Sequence, residues 1–421
     1  MKYHIWTIGC QMNKVESEDI SRIMQGRGYL PASSIKDSDL IVVNTCVVRQ
    51  NAEDKVTGML NYLKGVKASC PSLKIIVTGC FVDSNTEALG IGFPQVDLFF
   101  KPGDYSALVN YLKLNTLASK DTADRATRNG CCVYVPIMQG CNNYCSYCIV
   151  PYRRGREKSR NPDVIINQVG NFASGGIKEI TLLGQNVNSY GHDLHPLSDL
   201  SALLHCLHGV TGLSRIRFLT NHPKDMSTGL LRSISSLDKV CKQVNLPVQS
   251  GNNQVLERMN RGYTREDYLE LVSCMKSQIP AISLSTDVIV GFPGETEADF
   301  NDTMSILEMV CFDVVHCAMY STRPGTLAAI KYTDDIPENT KKRRWQEVEN
   351  LQTRIAMEIN SDLVGKLLPV LVEGRKGGRW FGRTDSNKLV FFQSSGDHLG
   401  QIINARVTGA TAWSMQGLLE D

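Results

Sequence analysis

Cys141-Asn142-Asn143-Tyr144-Cys145-Ser146-Tyr147-Cys148 sets three thiols within one short loop, with three residues and then two between them. A cubane iron–sulfur cluster normally takes four thiolates, so a loop that offers three leaves one iron open to a substrate. A zinc knuckle would need a fourth ligand, usually from a second Cys-x2-Cys or Cys/His half, and no such half lies nearby. The loop follows a strand-like run at 132–137. Similar runs near 179–183, 215–219, 243–248, 284–290 and 314–319 alternate with helical patterns. Asn161-Pro162 and the Thr264/Asp267 pair mark two of the helix starts. Six such βα repeats predict an open partial (β/α)6 barrel, with the cysteine loop at the C-terminal face where barrel active sites sit.

Outward toward the N-terminus, the short apolar runs Ile5-Trp6-Thr7-Ile8, Leu40-Ile41-Val42-Val43 and Ile75-Ile76-Val77, with a fourth at 96–100, predict a doubly wound parallel sheet in an α/β domain. Three of the runs end alike, in Gly9-Cys10, Asn44-Thr45-Cys46 and Gly79-Cys80. Ligands bind at the carboxyl ends of strands in such sheets. The pattern therefore predicts that Cys10, Cys46 and Cys80 converge on one crevice and hold a second cluster. Residues 114–130 lose periodicity and read as a linker. Beyond Pro337 a helical pattern through Trp345, Val348, Leu351, Ile355 and Ile359 leads to short period-two runs at 368–372, 389–392 and 402–407, which predict a small all-β barrel of the oligonucleotide-binding sort. The expected domains are 1–118, 131–358 and 361–421.

Lys plus Arg number 45 against 43 for Asp plus Glu, so the global charge points to no polyanion and any nucleic-acid site must be local. Two stretches qualify. Arg153, Arg154, Arg156, Lys158 and Arg160 face only Glu157, while Arg375, Lys376, Arg379, Arg383 and two further lysines are interleaved with Trp380 and Phe381. Basic groups among aromatics suit a phosphate backbone with bases to stack. Lys341-Lys342-Arg343-Arg344 reads instead as plain helix surface. No apolar run is long enough to cross a membrane and no signal-peptide region opens the chain, so a cytoplasmic protein with reduced thiols is expected. The remaining cysteines read as core.

The cysteine loop resembles the signature of radical S-adenosylmethionine enzymes. Gly9-Cys10-Gln11-Met12-Asn13, Asn44-Thr45-Cys46, Met138-Gln139-Gly140-Cys141, Ile149-Val150-Pro151-Tyr152-Arg153-Arg154-Gly155-Arg156-Glu157, Gly184-Gln185-Asn186-Val187-Asn188 and Tyr320-Ser321-Thr322-Arg323-Pro324-Gly325-Thr326 extend the resemblance to the radical S-adenosylmethionine methylthiotransferase family over essentially the whole chain. The resemblance implies an N-terminal methylthiotransferase domain, a radical domain and a C-terminal RNA-binding TRAM domain. It implies two [4Fe-4S] clusters, one on Cys141, Cys145 and Cys148 and an auxiliary one on Cys10, Cys46 and Cys80. It further implies S-adenosylmethionine in two roles, methyl donor and radical source, with sulfide or persulfide as the sulfur.

Polar strand ends then become candidate S-adenosylmethionine contacts: Tyr147, Gln185, Asn186, Gln249 and Asp287, with glycines at 291 and 294 leaving room for a flat adenine. Implied partners are the anticodon arm of tRNA, an electron-donating reductase and cluster-delivery proteins, with no membrane and a monomeric chain. Within the family, Gln11-Met12 resembles the branch that methylthiolates isopentenyladenosine in tRNA; the ribosomal-protein-aspartate branch has Pro-Lys there and the threonylcarbamoyladenosine branch has Lys and a small apolar residue. Asn221 departs from the branch, which usually has Ser before His-Pro. An iron–sulfur RNA-binding protein without catalysis would instead require fourth cysteines for both clusters, and none has local spacing.

Overall fold

A computed structural model describes residues 1–47, 50–82, 85–112 and 130–420. All of the expected linker except Gly130 lies outside the described residues. The chain divides into two compact units, one drawn from Met1–Arg128, Gln139–Tyr144 and Cys148–Arg156, the other from Asn129–Met138, Cys145–Tyr147 and Glu157–Asp421.

In the first unit, β1 (Lys2–Thr7), α1 (Gln11–Gln25), β2 (Leu30–Pro31), β3 (Leu40–Thr45), α2 (Gln50–Ser69), β4 (Lys74–Gly79), α3 (Thr86–Gly92), β5 (Leu98–Phe99) and α4 (Tyr105–Leu112) form a parallel five-stranded sheet of order β2-β1-β3-β4-β5. The apolar run of β3 explains the two-sided cover. Successive side chains point to opposite faces, so Leu40 and Val42 join Ile20, Met24, Leu108 and Leu112 on one side. Ile41 and Val43 join Val56, Leu60 and Leu63 on the other.

From Cys132 the chain continues as β6 (Cys132–Pro136), β7 (Met138–Gln139), α5 (Val150–Arg154), β8 (Lys158–Ser159), α6 (Pro162–Ser174), β9 (Glu179–Leu183), α7 (Leu200–His208), β10 (Arg215–Phe218), α8 (Thr228–Ser236), β11 (Gln243–Asn245), α9 (Asn253–Arg258), α10 (Arg265–Gln278), β12 (Ser283–Val290), α11 (Glu297–Val310), β13 (Val314–Met319), α12 (Leu327–Lys331) and α13 (Glu338–Ser361), all in the second unit except Gln139 and α5, which belong to the first. Two parallel three-stranded sheets, β6-β9-β10 and β11-β12-β13, are joined by a bridge between Ile216 and Val240. The six strands thus run in chain order, as an open barrel requires. Helix starts fall where expected: Asn161 caps α6 by accepting from the Asp163 amide at 2.8 Å, and Thr264 and Asp267 form a reciprocal capping box on α10.

Beyond α13, strands β14 (Leu367–Lys376), β15 (Arg379–Arg383), β16 (Leu389–Phe392), β17 (Ile402–Ala410) and β18 (Met415–Glu420) close a five-stranded barrel, ordered β14-β15-β16-β18-β17. Two buried arginines of β10 fix its position. Arg215 donates to the Arg383 and Pro369 carbonyls at 2.6 and 3.0 Å, and Arg217 donates to the Asp385 and Thr384 carbonyls while pairing with Glu179 at 2.8 Å.

Only half of the Lys341–Arg344 run is helix surface: Lys342 and Arg343 are exposed, while the outer two turn inward. Lys341 and Arg344 are each 3 % exposed. Lys341 bonds the Asp334 carboxylate and the Tyr320 carbonyl, and Arg344 bonds Glu295 at 2.7 Å. At helical spacing these two share one face of α13, which packs on the barrel. The glycine at 291 serves this packing: its φ is +71°, and a Cβ there would lie 2.4 Å from the Lys341 stem.

Candidate metal centres and their surroundings

Cys10, Cys46 and Cys80 follow the C-terminal ends of β1, β3 and β4, three adjacent parallel strands. Adjacent strands lie about 4.8 Å apart, so thiols at their ends share a crevice by construction. A buried amide pair braces two of them. Asn13 Nδ2 donates to Asn44 Oδ1 at 2.9 Å and to the Thr45 carbonyl at 3.0 Å, while Asn13 Oδ1 accepts from the Cys10 amide and thiol at 3.2 and 3.4 Å. Asn44 Nδ2 returns a bond to the Asn13 carbonyl at 2.8 Å. Gly9 makes the crossing possible. Its φ is +136°, and a Cβ would lie 2.3 Å from Asn13 Oδ1 and 2.8 Å from Cys46 Cβ.

Cys80 is buried, packed with Val47, Phe81 and Ile149. Burial pushes its thiol up from the ordinary range, and the Arg154 guanidinium pulls the other way. Arg154 Nε donates to Cys80 Sγ at 3.4 Å, and its two terminal nitrogens fork onto the Glu16 carboxylate at 2.6 and 3.3 Å. Among the described residues no three His, Cys, Asp or Glu side chains are already closed around a point. A set of three thiols with a cation beside one of them fits a net-negative iron–sulfur cluster.

In the eight-residue loop, Cys141 and Cys148 are half-buried and Cys145 is buried. The loop centre is tied to the barrel through Ser146. Its amide donates to the Met259 carbonyl at 2.9 Å, its hydroxyl donates to the Arg258 carbonyl at 2.7 Å, and its carbonyl accepts from Ala328 at 2.7 Å. Behind Cys145 stands Arg261, 4 % exposed. Arg261 donates to Cys145 Sγ at 3.2 Å, to the Tyr147 and Tyr263 hydroxyls at 3.4 and 2.9 Å, and to the Pro247 carbonyl at 2.8 Å.

Of the other polar candidates, three follow barrel strands, Asp287 lies within β12 and Tyr147 lies in the cysteine loop. Asn186 and Gln185 follow β9, and Gln249 follows β11. Gln249 has φ +69° and is held by backbone bonds with Asp287 and Ile289 at 2.8 and 3.0 Å. Asp287 is half-buried on β12 and accepts from Asn245 at 3.1 Å. Tyr147 packs against the Val255, Met259 and Phe292 cluster. Asn186 Oδ1, Asn221 Oδ1 and His222 Nε2 are buried without a hydrogen-bond partner. His222 Nδ1 accepts from the Lys224 amide at 3.4 Å, which leaves the proton on Nε2. Burial, with Arg261 and Lys224 nearby, pushes the His222 pKa down to about 2. Unpartnered buried groups are costly; three of them following β9 and β10 suit a polar ligand on this face.

Of the basic stretches, Arg156 and Lys158 are exposed and Arg153 is half-buried. Arg154 is not a phosphate-gripping side chain: Glu16 consumes its fork in the interior. In the closed barrel, Arg375, Lys376 and Arg379 are exposed, and Arg383 pairs with Glu373 at 3.3 Å. Trp380 does not stack outward either. It is 7 % exposed in the barrel core, since alternation on β15 turns residue 380 inward and residue 381 out. The outward aromatic pair is Phe381 with Phe391, centroids 6.2 Å apart, with the Arg379 guanidinium 5.1 Å from the Phe391 ring centre. The sequence reading had not singled out Asn13, Glu16, Arg261, Tyr263 or Phe391.

Residues 2–101 match the uncharacterized protein family UPF0004, 135–307 the radical SAM superfamily and 362–419 the TRAM domain. The chain is 44 % identical over 417 residues to a protein of Dehalococcoides mccartyi named tRNA-2-methylthio-N(6)-dimethylallyladenosine synthase, covering 99 % of this chain and 98 % of that one. A Clostridium botulinum protein of the same name is 42 % identical over 438 residues, covering 99 % and 96 %. Among solved structures, the radical S-adenosylmethionine methyltransferase TsrM of Kitasatospora setae, with cobalamin and a [4Fe-4S] cluster bound, shares the fold with a TM-score of 0.59 at 13 % identity, over 78 % of this chain and 77 % of that one.

Proposed function

We infer the reaction from the family to which this chain belongs, the tRNA-2-methylthio-N(6)-dimethylallyladenosine synthases: it replaces hydrogen at adenine C2 of N6-isopentenyladenosine, beside the anticodon of tRNA, with a methylthio group. The chain is a sulfur-inserting transferase of the radical SAM class. The observation that carries the reading is the pair of three-thiol sets, one ending three adjacent strands of the first sheet and one in the loop after the first barrel strand. When bound, two [4Fe-4S] clusters and S-adenosylmethionine supply the electron, the radical and the methyl group, with sulfide or persulfide as the sulfur.

The chain's own residues hold and orient. Cys141, Cys145 and Cys148 ligate one cluster, Cys10, Cys46 and Cys80 the auxiliary one. Asn13 and Asn44 fix the directions from which Cys10 and Cys46 approach. Tyr147, Gln185, Asn186, Gln249 and Asp287 take S-adenosylmethionine, and the spare atoms of Asn186, Asn221 and His222 give a polar substrate its partners. Arg156, Arg375, Lys376 and Arg379, with Phe381 and Phe391, grip the anticodon arm, from which the target base must be turned outward. The protein works as a cytoplasmic monomer, fed electrons by a reductase and clusters by delivery proteins. Among the described residues no helix is long and apolar enough to cross a membrane.

The test is iron and sulfide analysis with electron paramagnetic resonance on anaerobically reconstituted protein, wild type beside C141A/C145A/C148A and C10A/C46A/C80A. The expected result is about eight irons in the wild type and about four in each variant. Nucleoside analysis of tRNA treated with the wild type should show the methylthio group on isopentenyladenosine. Full iron in C10A/C46A/C80A, or the group appearing on threonylcarbamoyladenosine or on a ribosomal protein, would overturn the reading.

A further inference from the structure

Each set of thiols has one member touched by a buried arginine, and the two arginines differ in how their charge is answered. Arg154, beside Cys80, forks onto Glu16, so that cation is neutralised within the same contact. Arg261, beside Cys145, meets two phenol hydroxyls and a carbonyl. Among the described residues no carboxylate lies within ion-pair distance of it. A guanidinium left uncompensated in the interior is expensive, and structures keep one only where an anion is expected opposite. The thiolate of Cys145 alone is a single answering charge. Reduction of the group that Cys141, Cys145 and Cys148 hold adds one more negative charge beside the guanidinium.

We propose that Arg261 is a positioning residue that sets the reduction potential of the cluster on Cys141, Cys145 and Cys148, raising it through an unneutralised positive charge and a hydrogen bond to the Cys145 sulfur, whereas Arg154 with Glu16 leaves the auxiliary cluster's potential nearly unmoved. Hydrogen bonds to ligand sulfurs and local net charge are the protein's levers on such potentials. Tyr263 completes the device. Its hydroxyl accepts from Arg261 and shares its one proton between the Pro247 and Val248 carbonyls at 3.1 and 2.9 Å, while Arg261 itself donates to Pro247 at 2.8 Å, so the guanidinium is held at both ends. The asymmetry makes sense for one-electron supply: the radical-generating cluster must accept an electron from a donor, while the auxiliary one need not accept the same electron first.

The proposal rests on Cys145 being a cluster ligand, and the experiment separates the two. Full-length reconstituted protein, as wild type, R261M, R261Q, R261K, E16Q/R154M and C145A, is titrated potentiometrically with dithionite and mediators, reading the reduced cluster by electron paramagnetic resonance beside iron and sulfide content. R261M and R261Q should keep full iron but show at least a tenfold smaller ratio of reduced to oxidised radical cluster at a fixed potential, a midpoint about 59 mV lower for one electron. R261K, which keeps the charge, should stay within threefold of wild type, and E16Q/R154M, which removes a neutral pair beside Cys80, should shift neither midpoint by as much as about 59 mV. An unchanged midpoint in R261Q, or iron lost equally from R261M, R261Q and R261K, would overturn the proposal, the latter making Arg261 a packing residue. Full iron and an unchanged signal in C145A would instead sink the ligand assignment beneath it.

Discussion

Replacing Glu16 by Gln should strip the counter-charge from Arg154 while keeping its shape. The two side chains are 2 % and 9 % exposed and their nearest contact is 2.6 Å. With charge centres about 4 Å apart and an effective dielectric of about 20, the Coulomb attraction is about 4 kcal/mol. That agrees with the roughly 3–5 kcal/mol lost when one partner of a buried pair is removed. The loss falls on the unit that contains β1 to β5, so hydrogen exchange of β3 and β4 amides in the full-length protein is the assay. E16Q should reduce their protection by a factor of about 200 to 4,000, since 1.36 kcal/mol is tenfold. R154M should do the same, because it strands the carboxylate. The double variant E16Q/R154M removes both charges and should recover most of the protection, giving a coupling of at least about 2 kcal/mol. Protection within tenfold of wild type in E16Q, or strictly additive losses in the double variant, would refute the reasoning and show that solvent reaches the pair.

G9A should displace Asn13 and Cys46, since its Cβ would sit 2.3 and 2.8 Å from them at a φ of +136°; iron analysis should give about half the wild-type content, and full content would show that the crossing relaxes. His222 titrates at about 2 in the folded chain against about 6.5 when unfolded. Its contribution to stability is therefore complete above pH 6.5 and is lost as pH falls toward 2, at up to about 1.4 kcal/mol per pH unit. H222Q should flatten the decline in melting temperature between pH 6.5 and 4.5, and an identical decline in both proteins would contradict the shift. R375A/K376A/R379A should lower the salt slope of tRNA binding by about 2 to 3, whereas W380F should lower the melting temperature and leave that slope alone; a changed slope in W380F would place Trp380 on the RNA.

The parallel sheet, the open barrel and the closed tail barrel were legible because each rests on a local period. Burial of β3 on both faces follows from four apolar residues in a row, and the strand-end thiols follow from where those rows stop. What local reading missed was charge whose partner lies outside its own helix. Arg154 sits in a run of basic residues that reads as a phosphate-binding surface, and Lys341 and Arg344 in a run that reads as solvated helix. Their interior positions are decided by Glu16, Asp334 and Glu295, carboxylates placed by other elements. Trp380 was misplaced for a different reason: with both a tryptophan and a phenylalanine in β15, only the register against β16 decides which of the two turns inward.

The same logic bears on the two thiol sets. Their cysteines are close in spacing or share a strand-end position, so composition and period find them. The arginines that touch them stand 74 and 116 positions away from the sulfur they reach. Whether such an arginine carries a net charge to the sulfur depends on a third residue again: Glu16 answers Arg154, and no carboxylate within ion-pair distance among the described residues answers Arg261. Two sets of three cysteines therefore differ in the arginine that touches one member of each: the one at Cys80 is paired with Glu16, the one at Cys145 has no carboxylate partner among the described residues. The difference lies in the residues that touch these sulfurs, and it becomes visible only once the side chains are placed in three dimensions.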